Sequence, residues 1–191
     1  MACNMLNNVS IRLMSGGHTF SNQDIESVKG AGENAMVEFV TPKTVLRPEQ
    51  GFDATNAKSD LEAVGYVVAD DEVVVSSPAY NGRVAVMAVN AKCVEAIVAV
   101  NASISYSSPL LSGEDMAEGS YIALYGNVLY VRVYKAGLRL AEAMVVETDA
   151  DVIFYIESIN RVYDIYNMYA HASGDVERLN KLCRKTIKLC V

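Results

Sequence analysis

The chain has 191 residues, 51% of them hydrophobic, a mean hydropathy of +0.16 and a formal net charge of -7. That is enough apolar material for one compact core or for two small lobes sharing an interface, which excludes an intrinsically disordered chain. No run is long enough to span a bilayer, and the start MACNMLNNVSIRL lacks the basic flank and apolar block of a secretory signal, so the expected home is the cytoplasm.

In chain order, residues 9–13 (VSIRL) alternate apolar and polar, Ser15-Gly16-Gly17 interrupts them, and Thr19-Phe20 resumes the extended pattern, which predicts a hairpin. Residues 26–34 are polar and contain glycine, predicting a loop, and 36–40 alternate again as a strand closed by Thr41-Pro42-Lys43. A short helix is expected over 58–64, ended by Gly65, then strands over 72–75 and 83–89 with a turn at Asn81-Gly82. Residues 92–100 are apolar enough to predict a helix buried on much of its surface, 103–107 are short and extended, and 112–119 (SGEDMAEG) read as the linker between two lobes, 1–112 and a shortened 113–191.

Beyond the linker, strands over 121–125, 128–134 and 138–146 are separated by Gly126-Asn127 and Lys135-Ala136-Gly137, a three-stranded meander. Thr148-Asp149-Ala150-Asp151 has capping-box spacing and opens a helix with Val152, Tyr155, Ile156, Ile159, Val162, Tyr163 and Tyr166 on one face. A strand over 167–172, a turn at Ser173-Gly174 and an N-cap at Asp175 then lead into a final helix through the end of the chain, with Val176, Leu179, Leu182, Cys183, Ile187 and Cys190 apolar. Its basic residues, Arg178, Lys181, Arg184, Lys185 and Lys188, lie opposite. The rest of the chain is strongly acidic, which excludes general nucleic-acid binding.

Cys3, Cys93, Cys183 and Cys190 have no C-x-x-C spacing and read as reduced thiols, the last two on one face of the final helix as small core residues. His18 and His171 have no further ligands at zinc spacing, and no G-x-S-x-G elbow marks a hydrolase. The tyrosines at 121, 125, 130, 134, 155, 163, 166 and 169 read as amphipathic core edge, with a protein interface as the functional counterpart.

The order hairpin, helix, strand, turn, helix in the last third is the skeleton of one half of an actin-like domain. The stretches VSIRLMSGGHTFS, VEFVTPKTVLRPEQGFD, YSSPLL and VYKAGLRLAEAMVVETDADVIFYIESI resemble the bacterial family catalogued as domain of unknown function 3822. That family in turn resembles the actin-like ATPase superfamily, in the style of its pilus-assembly and cell-division relatives. The resemblance implies an α/β fold of duplicated, ribonuclease H-like lobes, mixed sheets with helices packed on them, facing a cleft bordered by turns that carry both histidines.

Actin-like ATPases wrap nucleotide phosphates with two Gly/Thr-rich turns, each begun by an Asp that holds the metal-bound water. The matching positions are Ser15, Gly16, Gly17, His18 and Thr19 in the first turn, Gly126 and Asn127 in the second, and Ser173 and Gly174 on the adenosine side. Glycines survive and the acids do not. The expected role is therefore a non-catalytic interaction or scaffold protein with an unidentified protein partner, a homodimer being one form of it, without cofactor, metal or membrane span. The alternatives are an ATPase with a divergent ATP/Mg site, supported by residues 15–19, and a membrane-surface protein using the basic final helix. The residues lean against an enzyme without deciding it.

Overall fold

The computed structural model describes residues 10–14, 28–29, 36–183 and 188–190. The chain divides into two compact units, Met1–Leu111 and Ser112–Val191.

In unit 1, strands β1 (Ser10–Met14), β2 (Met36–Val40) and β6 (Ser105–Ser107) form a parallel sheet in the order β1-β2-β6. A second, antiparallel sheet orders β3 (Thr44–Pro48), β5 (Arg83–Asn90) and β4 (Glu72–Ser76) as β3-β5-β4. The strand at 36–40 and the pair at 72–76 and 83–90 are as the alternation predicts. Asn81 (φ 50) and Gly82 (φ 71) both take positive φ, which is what a two-residue turn between right-twisted strands requires. Among the described residues β1 pairs with β2 in parallel, while Thr19-Phe20, expected to complete its hairpin, lie outside them. Most of the loop expected at 26–34 also lies outside; Val28 and Lys29 are helical.

Strand β5 is apolar without alternation because both its faces are covered. Ala85, Met87 and Val89 join Val37, Phe39 and Ile97 in one core, while Val86 and Ala88 meet Ala57 and Leu61 of helix α1 (Ala57–Ala63). Helix α2 (Ala91–Val100), expected to be buried on much of its surface, packs on the core through one side, with Cys93, Val94 and Val100 partly buried beside Ile97. Only Ile97 is buried, and Val98 is 45% exposed: high apolar content does not fix which face meets the sheet, and three of the helix residues are alanines too small to reach it.

Unit 2 follows the predicted order. Strands β7 (Glu118–Tyr125), β8 (Val128–Lys135) and β9 (Leu138–Val145) form the meander, helix α3 (Asp149–Tyr163) crosses it, and strand β10 (Tyr169–Gly174) leads to helix α4 (Val176–Cys183) and strand β11 (Lys188–Cys190). The sheet order is β11-β10-β7-β8-β9, with β10 parallel to both its neighbours. One face of β7 and β8 (Ile122, Leu124, Leu129, Val131, Val133) packs against Val152, Ile156 and Ile159 of α3 and Leu179 and Cys183 of α4. Each such side chain contributes about 1.5–3 kcal/mol on burial. The capping box forms: the Thr148 hydroxyl accepts from the Asp151 N–H at 3.3 Å and an Asp151 carboxylate oxygen accepts from the Thr148 N–H at 2.8 Å.

Several expectations are corrected here. Val162 is 73% exposed, at the margin of the α3 face, and Tyr166 lies in a 3-10 turn after the left-handed Asp164 ends the helix. The final helix does not run through the end of the chain: Lys188–Cys190 form a strand beside β10, so Cys183 and Cys190 do not share a helix face. Arg184, Lys185 and Ile187, expected on that helix, lie outside the described residues. Residues 112–117 are no loose linker: Arg132 donates to the Ser112 carbonyl and the Tyr134 hydroxyl donates to Asp115 at 2.9 Å. No helix among the described residues is long and apolar enough to cross a membrane.

Candidate functional site

Because β7 and β10 run parallel as neighbours, their C-terminal ends reach the same edge of the unit 2 sheet, with Gly174 in register with Leu124. This brings two sets of expected site residues together. Gly126 and Asn127 make the two-residue turn after β7, Gly126 at φ 58, and Ser173 and Gly174 close β10, one step inside the strand rather than in a turn after it.

The junction is closed by three contacts. The Tyr125 and Ser173 hydroxyls share a hydrogen bond of 2.6 Å. The Asp175 N–H donates to the Leu124 carbonyl at 2.7 Å. Gly174 (φ 75) lies so near that a β-carbon there would sit 2.0 Å from the Leu124 carbonyl oxygen. The Asn127 carbonyl is itself used, accepting from the Val146 N–H at 2.8 Å, so the turn is tied to the end of β9 as well. Tyr125 is buried, its ring 6.3 Å from that of Tyr130.

The neighbouring acids are committed to structure. Asp175 caps α4, its carboxylate accepting from the Arg178 N–H at 3.0 Å, and Asp149 accepts from the Arg178 side chain at 2.7 Å. Among the described residues no group of three His, Cys, Asp or Glu side chains is placed to hold a metal ion. His171 is an exposed residue within β10, paired with Tyr121 and Cys190, and not in a turn as expected. Ser15, Gly16, Gly17, His18 and Thr19 lie outside the described residues.

The tyrosines divide by position. Tyr121, Tyr125, Tyr130 and Tyr134 are buried, and only Tyr169 is largely exposed. The Arg132 guanidinium, also buried, lies 4.5 Å from the Tyr121 ring centroid and 5.6 Å from that of Tyr134. Sequence alternation alone reads Arg132 as a solvent-facing strand residue; its aromatic neighbours two positions away and across the pair, Tyr134 and Tyr121, are the signal that it is not.

No family model matches the sequence, and no curated protein does. Among solved structures, a Bacteroides thetaiotaomicron protein described as having an actin-like ATPase fold and unknown function superposes with a TM-score of 0.70. It is 12% identical, over 95% of this chain and 89% of that one. This chain has an actin-like ATPase fold. The cytoplasmic domain of EpsL, an inner membrane component of the type II secretion system of Vibrio cholerae, aligns with a TM-score of 0.45 at 11% identity, over 86% of this chain and 81% of that one.

Proposed function

We propose that this protein is a pseudo-ATPase: a non-catalytic, cytoplasmic interaction or scaffold protein that keeps an actin-like fold for its surface and binds another protein. Kinship with domain of unknown function 3822 belongs to the same proposal and rests on the sequence segments quoted above. The observation that carries the reading is the Tyr125–Ser173 hydrogen bond over the Gly174 contact. A phosphate turn works by leaving backbone N–H groups open to an anion. Here the Tyr125 phenol reaches from the end of β7 to Ser173 of β10, and the Asp175 carboxylate, at the same edge as the cap of α4, would repel a phosphate.

The test is a thermal melt with and without Mg-ATP. A ligand at a hundredfold excess over its Kd stabilises by about 2.7 kcal/mol, several degrees for a domain of this size. The expected result is no shift at millimolar Mg-ATP and no phosphate release. A shift of several degrees that Gly16→Val abolishes would restore the ATPase.

A further inference from the structure

Strand β9 is an edge strand among the described residues: β8 pairs with one side of it, and no described strand lies on the other. Its register sets Leu140 opposite Val133, Glu142 opposite Val131 and Met144 opposite Leu129, so these three share the face that packs on α3. Leu140 and Met144 are partly buried against that core. A carboxylate therefore sits in the middle of an apolar row.

Among the described residues Glu142 has no hydrogen-bond or ion-pair partner. It is exposed by area, yet enough of its surroundings are protein that burial raises its carboxyl above the usual range. Arg139, the unpaired residue at the register shift of β9, does not serve it, since its Nε donates to the Lys135 carbonyl at 2.7 Å. Exposed strand edges pair readily with another strand, and a charge on the edge selects which strand that can be.

We propose that β9 is a docking edge for a protein partner that adds an extended segment to the unit 2 sheet, setting a lysine or arginine against Glu142 and apolar residues two positions to either side. The inference rests on the interaction role proposed above and names its partner's chemistry. A second copy of this chain does not fit. Antiparallel pairing of two β9 strands keeps faces together, so the row meeting Glu142 would again be Leu140, Glu142 and Met144, and the neighbouring Arg139 is held by the Lys135 carbonyl. A foreign strand with a basic residue supplies what the row lacks, and its flanking apolar side chains extend the Leu140 and Met144 surface.

The probes are two end-blocked, fluorescein-labelled peptides, TVTKTVT and TVTETVT, whose palindromic pattern suits either strand direction. Anisotropy titrations with the full chain at low salt should show the lysine peptide binding at least tenfold more tightly than the glutamate peptide. Glu142→Lys should reverse the preference, and the milder Glu142→Gln should equalise the two. Equal binding of both peptides to the natural sequence, or no saturation by millimolar protein, overturns the proposal. So does a wild-type dimer in sedimentation velocity that Glu142→Lys dissociates, because a second copy would then hold the edge. Neither peptide carries phosphate, so failure here bears on this edge alone, whereas failure of the non-catalytic reading shows as Mg-ATP binding.

Discussion

Replacing Gly174 by alanine tests whether the β7–β10 junction is as tight as its geometry states. The new methyl would lie 2.0 Å from the Leu124 carbonyl oxygen and 2.8 Å from both the Leu124 carbonyl carbon and the Tyr125 ring, and two of these three atoms are backbone. The backbone must therefore separate, which costs about 1–3 kcal/mol as overpacking. A left-handed conformation at φ 75 adds about 1–2 kcal/mol for a residue with a β-carbon. Opening the junction also strains the Asp175 N–H to Leu124 bond and the Tyr125–Ser173 bond, each contributing about 0.5–1.5 kcal/mol. The expected loss is about 3–8 kcal/mol, a large part of the roughly 5–15 kcal/mol that holds a domain folded. Gly137→Ala is the internal control: φ there is 110, but no atom lies within 4 Å of the added carbon, so only the conformational cost of about 1–2 kcal/mol applies. Urea unfolding of both variants gives the comparison. If Gly174→Ala costs no more than Gly137→Ala, the close approach is not real and the closed junction loses its support.

Other outcomes follow from single side chains. The Ser120 hydroxyl is fully buried with no hydrogen-bond partner among the described residues, so Ser120→Ala should raise stability by about 1 kcal/mol in urea melts, and a loss of that size would refute this. Thr148→Ala should cost about 1 kcal/mol by removing the α3 cap. Hydrogen bonds donated to the Asp151 carboxylate by the Thr148 N–H, the Thr148 hydroxyl and the Glu147 N–H hold it below its ordinary pKa, so their stabilisation is present above about pH 4 and lost as pH falls further, a trend Asp151→Asn should flatten. Burial pushes the Cys183 thiol from 9.0 up to about 11, so its contribution is complete below pH 9 and falls away as pH rises towards 11. The difference in unfolding free energy between the natural sequence and Cys183→Ala should shrink over that range by on the order of 2 kcal/mol.

What was legible in the sequence was local. The Asn81-Gly82 turn, the Thr148 capping box and the β7–β8–β9 meander are each specified within a few residues, and each forms where the pattern puts it. The site was legible only in part, because its closure depends on a contact between residues 48 apart. Nothing near Tyr125 announces Ser173. What the order of elements does imply, once β10 follows a crossover helix, is that β10 runs parallel to a meander strand and ends level with it. The parallel pairing of β1 with β2 was hidden for the same reason, since a hairpin signal in residues 9–20 says nothing of partners 26 positions away.

The end of the chain shows local and non-local preferences in conflict. Residues 176–190 keep a helical spacing of apolar groups throughout and contain neither glycine nor proline, so no local feature marks the change from helix to the strand Lys188–Cys190. That change is imposed by the sheet. Strand β10 is satisfied by β7 along one side only, and the backbone groups on its other side need partners, which Lys188–Cys190 supply in register with Tyr169–His171. Continuing the helix would gain a few tenths of a kcal/mol per residue from propensity, whereas each ladder bond to β10 contributes about 0.5–1.5 kcal/mol net and spares a far larger desolvation cost. Within the described part of α4, Leu179 and Cys183, one turn apart, already seal the core beneath it.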